Sequence, residues 1–333
     1  MSRLISCKGL TRHSGQFSSG KEGLLDLQSK MRKNATFGKH MKEKQRYIAE
    51  ALLLDIDGVV TDPSEKRITN QALLDIFVTR LQREEIVSFN SGRALSWIEK
   101  EVLGPLQQKL QENGLPRALL RYVIAVAEKG GARITYSESG EKQIFIDPNI
   151  RIPDGLHEQI QSLLKGGYTD AETGLHTDFS TMFADDEKQT MATIEMKNGE
   201  NHDDQSPFKK QQTVLKDALK HILASNLWDR EFTVDATTVA TDIENKSVGK
   251  AYGVHQILEM LGQRNISVGE FFAFGDSISD IEMAEELTKQ GQKVTFVYVG
   301  QGNPWQNKHL PFPIDTEYAG AFHEGTVAYL ARH

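Results

Sequence analysis

Leu52-Leu53-Leu54-Asp55-Ile56-Asp57-Gly58-Val59-Val60-Thr61-Asp62 is the stretch whose reading decides the fold. A short apolar run ends abruptly in two carboxylates and a glycine. Such a run reads as a buried strand. Acidic side chains at a strand's C-terminal end lie where open α/β sheets gather their sites. Asp55 and Asp57 stand two residues apart, so a regular strand would point both to one face. Gly58 permits the chain to turn there. Of two such carboxylates, one can attack phosphorus and the other can move a proton on the leaving group or on water. They also repel each other, so a Mg²⁺ ion between them would hold at least one ionised. An ordinary strand end with an Asp-Gly turn accounts for this stretch equally well, and the rest of the chain breaks the tie.

Downstream, Thr69 and Asn70 read as helix caps, and Leu74, Phe77, Val78 and Leu81 mark one face of a helix. A second short strand, Ile86-Val87-Ser88-Phe89, runs into Asn90-Ser91-Gly92-Arg93. Strand, helix, strand is the unit of a parallel sheet. Ser91 could hydrogen-bond a phosphoryl oxygen, aided by the N–H groups of Gly92 and Arg93 near a helix start. Taken alone, Ser91 is more simply the N-cap of a helix over Ala94–Val102. Tyr122-Val123-Ile124-Ala125-Val126 reads as a third strand.

From about residue 133 to 239 the texture changes. Strand-like pieces (Ile144-Phe145-Ile146, Ala192-Thr193-Ile194, Phe232-Thr233-Val234) mix with helical ones at His157–Lys165 and Gln211–Ala224, between polar loops. This is an α+β insert large enough for its own core. The doubly wound pattern then resumes. Lys250 opens a helix whose face is Val254, Ile257, Leu258 and Leu261, a place where the dipole disfavours a cation. That placement suggests an anionic partner, with a solvated lysine as the alternative. Phe271-Phe272-Ala273-Phe274 is a fourth strand ending in Gly275-Asp276-Ser277-Ile278-Ser279-Asp280, and Val294–Val299 a fifth.

The expected fold is α/β: a doubly wound parallel-sheet core over 47–135 and 240–333, an α+β insert over 136–239, and a basic tail over 1–46. In such a sheet Asp55, Asp57, Ser91, Lys250, Asp276 and Asp280 share one edge. Together they form a plausible Mg²⁺–phosphate site.

Composition narrows the function classes. The formal net charge of −7 is uneven: residues 1–50 hold 11 Lys and Arg against 4 Asp and Glu, leaving 28 against 42 in the remainder. An acidic body argues against a general nucleic-acid binder. No apolar run approaches a membrane span, and the single cysteine, Cys7, allows no intrachain disulfide, in keeping with a cytoplasmic location. The ten histidines show no metal-ligand spacing. Gly15 to Glu22 nearly matches the phosphate loop G-x-x-x-x-G-K-[ST], but Glu22 supplies no hydroxyl and no strand precedes it.

Four ordered motifs now resemble those of the haloacid dehalogenase-like (HAD) superfamily: Asp55-Ile56-Asp57-Gly58, Ser91, Lys250, and Gly275-Asp276-Ser277-Ile278-Ser279-Asp280. The resemblance covers residues 48–333. It implies that Asp55 is the nucleophile and Asp57 the general acid and base. Ser91 and Lys250, with Gly92 and Arg93, would hold the phosphoryl group. Asp55, Asp276 and the backbone carbonyl of Asp57 would bind Mg²⁺, with Asp280 supporting. Ser279 stands where relatives often carry Asn, which puts a secondary hydrogen bond in doubt. Asp57 and Ser91 lie 34 residues apart and Ser91 and Lys250 159 apart. The insert therefore resembles a type-II cap, and Arg67-Ile68-Thr69 and Gly130-Gly131-Ala132 look like the Cof-type subgroup. The implied activity is Mg²⁺-dependent hydrolysis of a small phosphorylated metabolite, a sugar phosphate first. A phosphomutase resembling phosphomannomutases and a non-catalytic binding protein are the alternatives. The oligomeric state is left open.

The tail has little periodicity and none of the motif residues. Its first 20 residues carry Arg3, Lys8 and Arg12 and no acid, faintly like a transit peptide. Met31 and Met41 both precede the first strand, so a non-native upstream start is an equal alternative. A chain beginning at Met41 should fold and match the full-length protein in turnover. A folded chain from Met41 that has lost its activity would contradict this.

Overall fold

The computed structural model describes residues 45–197, 206–302, 304–305, 309–316 and 322–333. The tail expected over 1–46 lies outside the described residues up to Lys44, but Gln45 and Arg46 are described, and Arg46 already pairs with Ile266 in the sheet.

Strand β1 (Arg46–Leu54) is the axis of the fold. Its last four residues, Ala51 to Leu54, are fully buried. A strand buried on both faces needs such a continuous apolar run. Helix α1 (Gln71–Gln82) follows, its N-cap Asn70 accepting from the N–H groups of Ala72 and Leu73, and leads to β2 (Ile86–Asn90). Helix α2 runs Leu95–Ile98, passes through a π-helical turn at Glu99–Leu103, and continues over Gly104–Glu112. It is longer than the expected 94–102. The sequence Arg117–Tyr122 is a 3₁₀ segment, so β3 (Val123–Ala127) begins one residue later than expected.

Strands β4 (Ala132–Tyr136) and β5 (Lys142–Ile146) add antiparallel to β3. After the insert come α5 (Lys250–Gln263), β12 (Ile266–Gly275), α6 (Ile281–Lys289), β13 (Val294–Tyr298), β14 (Ile314–Asp315) and α7 (Phe322–Leu330). The eight-stranded sheet has the order β14-β13-β12-β1-β2-β3-β4-β5. The six strands from β14 to β3 are mutually parallel. Helices gather in two groups, α1 with α2 and α7, and α5 with α6. The chain leaves β1 toward β2 and returns on its other side as β12, which makes the β12-β1-β2 edge a topological switch point.

The insert has its own sheet, order β10-β11-β9-β8, from β8 (Met182–Asp185), β9 (Met191–Met196), β10 (Phe232–Ala236) and β11 (Ala240–Asn245). Helices α3 (Leu156–Gly166) and α4 (Ser206–Ser225) supply Leu156, Ile160, Leu215 and Leu219 to a separate hydrophobic cluster. Strands β6 (Tyr168–Thr169) and β7 (His176–Thr177) form a small hairpin. Strand membership corrects the expected limits of 136 and 239 at both ends. Ile144-Phe145-Ile146 belongs to the main sheet, because β5 folds back on β4 as a hairpin. Residues 240–245 belong to the insert, because β11 pairs with β10 and β9 and sends Ile243 into the insert's cluster. Among the described residues no helix is long and apolar enough to cross a membrane.

Gly253 fixes how closely α5 approaches β2. A Cβ there would sit 2.0 Å from the Asn90 Oδ1. In a helix interior Gly→Ala ordinarily stabilises by about 1 kcal/mol. Here the overpacking, typically about 1–3 kcal/mol, works against a buried side chain and should win. Gly253→Ala is therefore expected to lower the urea midpoint; an unchanged or raised midpoint would contradict the packing.

Candidate active site

Register brings the motif residues together. Leu54 pairs with Phe274 on one side and Phe89 on the other. Asp55, Asp276 and Ser91 follow those residues directly or one position later, so three adjacent parallel strands deliver them to one edge. The chain then turns sharply. The N–H groups of Val60 and Thr61 both donate to the Ile56 carbonyl, at 2.9 and 3.0 Å. Gly58 has φ +75°, and a Cβ there would stand 2.3 Å from the Asp276 Oδ2. The turn thus needs glycine for its backbone and for the carboxylate packed against it. Thr326 of α7 pins the same turn, its Oγ1 donating to the Val59 carbonyl at 2.8 Å.

Lys250 is the centre of the charge arrangement. Its Nζ lies 2.7 Å from the Asp55 Oδ1 and 2.9 Å from the Asp280 Oδ1, and donates to the Asn90 carbonyl at 3.1 Å. Asn90 returns the contact, its Nδ2 donating to the Lys250 carbonyl at 2.8 Å. Burial alone would lower the Lys250 pKa, but Asp280 and Asp55 outweigh it and raise it. Asp280 is buried, and its Oδ2 accepts from the N–H groups of Asp276 and Ser277 and from the Ser277 Oγ. Lys250 and these bonds overcome burial and hold its carboxyl below the usual range. Burial, and then the neighbouring Asp280, push Asp55 well above that range, and the same two causes push Asp276 up to about 6.

The Asp57 carboxylate faces a different partner. Arg93 grips it with both arms of the guanidinium, Nε at 2.9 Å and Nη2 at 2.8 Å, and lies over the Trp97 ring, 4.7 Å from its centroid. Ser91 is buried, its Oγ accepting from the Arg93 N–H at 3.3 Å. The simple N-cap reading of Ser91 does not hold: Ala94 occupies the cap position of α2, with no side-chain bond. Gly92 lies beside the Lys129 side chain, to which a Cβ would come within 3.5 Å. Ser279 is outside this inner group, its Oγ 2.9 Å from that of Ser277.

Four carboxylates, Asp55, Asp57, Asp276 and Asp280, therefore stand against two cations paired with them, Lys250 and Arg93. Oxygens of Asp55, Asp276 and Asp280 lie within 4.8 Å of one another. A hard-oxygen donor set with an excess of two negative charges fits Mg²⁺. The Asp57 carboxylate is not in that group; Arg93 holds both its oxygens. One residue that sequence reasoning did not single out also holds the site: Asn90, visible only as a polar residue at a strand end.

A cleft of about 660 Å³ opens beside Arg93. Trp97 lines it from the core, and Phe183, Asp185, Glu187 and Glu195 line it from the insert.

The haloacid dehalogenase-like hydrolase family model matches residues 52–290. The C-terminal domain of C. albicans trehalose-6-phosphate phosphatase is 16% identical, with a TM-score of 0.53, covering 87% of this chain and 94% of that one. A haloacid dehalogenase-like hydrolase from Bacteroides thetaiotaomicron is 13% identical, with a TM-score of 0.52, covering 86% and 99%. Thermoplasma acidophilum 0175 is 14% identical, with a TM-score of 0.50, covering 86% and 98%. No curated protein matches the sequence significantly. These neighbours share the fold, and the family match takes in every motif from Asp55 to Asp280: the chain belongs to the haloacid dehalogenase-like hydrolases.

Proposed function

We propose that this chain is a phosphatase that hydrolyses a small, hydroxyl-rich phosphate monoester through an aspartyl phosphate on Asp55. The observation that carries this reading is the pairing of Asp55 with Lys250 at an edge crowded by Asp276 and Asp280. Asp55 and Asp276, with the Asp57 backbone carbonyl and Asp280 in support, would hold Mg²⁺, which when bound supplies Lewis-acid stabilisation of the phosphoryl oxygens.

The chain's own residues supply the rest. An Asp55 carboxylate oxygen forms a bond to phosphorus as the bond from phosphorus to the leaving oxygen breaks. Lys250 and the Ser91 hydroxyl steady the phosphoryl oxygens where negative charge gathers. Asp57, once it has taken a proton from solvent, gives it to the leaving oxygen, then takes one from the water that hydrolyses the aspartyl phosphate. The guanidinium of Arg93 is paired with Asp57. A phosphoryl dianion matches the same fork. Its arrival would draw Arg93 off Asp57 and release that carboxyl for proton transfer.

The cleft supports a sugar-like leaving group. Asp185, Glu187 and Glu195 can accept hydrogen bonds from hydroxyls, and the rings of Trp97 and Phe183 offer apolar faces. The insert is read as the family's type-II cap, covering the edge and excluding water.

Asp55→Asn should abolish turnover, since an amide is a poor nucleophile. Asp57→Asn should lower it by roughly 10²–10⁴-fold on an alkyl phosphate and by less on p-nitrophenyl phosphate, whose leaving group needs little protonation. Steady-state kinetics on both substrates checks this; equal losses on the two would contradict the role of Asp57.

Asp276→Asn should raise the Mg²⁺ concentration needed for half-maximal activity and lower the maximum. A Mg²⁺ titration of p-nitrophenyl phosphate hydrolysis reads both. Activity that survives EDTA unchanged would refute the metal assignment.

A further inference from the structure

The loop after β3 holds three consecutive residues in the left-handed region: Glu128 at φ 51°, Lys129 at 55° and Gly130 at 107°. Two are not glycine, so the conformation persists only because its surroundings impose it. Those surroundings are unusual in facing two ways. The side chains reach into the insert. The Glu128 carboxylate is buried, and its Oε2 accepts from the Gln189 N–H at 2.9 Å, the Thr190 N–H at 2.7 Å and the Thr190 Oγ1 at 2.8 Å. Lys129 Nζ lies 3.3 Å from Asp242 and also pairs with Glu244, both on β11. The backbone of the same residues is bonded to the catalytic edge. Glu128 N–H donates to the Arg93 carbonyl and Lys129 N–H to the Ser91 carbonyl, each at 3.0 Å, and the Gly249 N–H donates to the Lys129 carbonyl at 2.9 Å. Gly249 is the residue before Lys250.

From this juxtaposition we infer that Glu128 and Lys129 are positioning residues that couple the seating of the insert to the placement of Ser91, Arg93 and Lys250. The inference rests on the reading of those three as phosphoryl ligands. Neither Glu128 nor Lys129 is assigned contact with substrate. When the insert is seated, its two anchors, Gln189-Thr190 before β9 and Asp242/Glu244 on β11, hold the two side chains. The peptide units between them are then fixed, and so are the carbonyls of Ser91 and Arg93 and the start of α5. When the insert lifts, both side chains lose their partners and the left-handed pair is free to relax. The phosphoryl ligands would then be in register only under a seated insert, which restrains hydrolysis of an unprotected intermediate.

The test places the change on the insert, away from the phosphoryl ligands. In the full-length protein, the Asp242→Asn/Glu244→Gln double variant should lower kcat for p-nitrophenyl phosphate roughly 2- to 30-fold, the range of coupling through packed networks, with a smaller change in KM. Combined with Lys129→Met, it should cost no more than Lys129→Met alone, and Lys129→Arg should retain most of the turnover. Hydrogen exchange followed by mass spectrometry should show faster exchange at the Ser91, Glu128 and Lys129 amides in the double variant. Should that variant fail to fold, Thr190→Val, which removes only the hydroxyl donor to Glu128, is read instead with the same expectations. Unchanged kcat and unchanged exchange in a folded variant would overturn the coupling. A wild-type protein that releases no p-nitrophenol would overturn the phosphatase reading, while exchange would still report on the coupling.

Discussion

One ammonium group stands between two carboxylates that would otherwise repel each other. Lys250 reaches Asp55 and Asp280 from the first turn of α5, and the Asn90 carbonyl completes its contacts. Everything around it serves that approach. Parallel pairing of β1 with β12 and β2 puts the acidic strand ends side by side. Gly253 lets α5 come against Asn90, and Gly58 lets the turn after Asp57 close on Asp276. The cost is that carboxylates in excess of the cations are buried at the edge: burial first, and Asp280 second, raise the pKa values of Asp55 and Asp276. That excess is what makes a divalent cation fit.

The two aspartates of the first motif have been given different surroundings, and this separates their proposed roles. Asp55 faces Lys250 and the other carboxylates; Asp57 faces Arg93. A carboxylate beside a lysine, and beside the metal it is proposed to hold, would stay available for attack. One held by an arginine that itself suits a phosphoryl group can be released when substrate arrives. On that proposal, the same sequence motif would yield a nucleophile and a proton carrier through their neighbours.

Much of this was legible in the chain itself. Leu52 to Asp57, Phe271 to Asp280 and the lysine at a helix start were each readable because an apolar strand ending in acid, or a cation against a dipole, is locally unusual. What stayed hidden depended on pairing at a distance. Nothing in Lys142 to Ile146 says that it folds back on β4, nor in Ala240 to Asn245 that it belongs with β9, since short alternating segments look alike wherever they pair. The grip of Arg93 on Asp57 joins residues 36 apart in sequence. Glu128 and Lys129 had no motif because their importance lies in backbone conformation and in partners more than 60 and 110 residues away.

The central claim is that Asp55 forms a covalent bond to phosphorus. It is tested most directly by mixing the Asp57→Asn variant with Mg²⁺ and p-nitrophenyl phosphate, quenching in acid, and mapping the digest by mass spectrometry. The good leaving group should load Asp55, and the missing base should let the adduct accumulate. The account predicts one phosphoryl group on the peptide that contains Asp55, and none when Asp55→Asn is added. Release of p-nitrophenol by the Asp57→Asn variant with no phosphoryl adduct, or with the adduct on another residue, would contradict it.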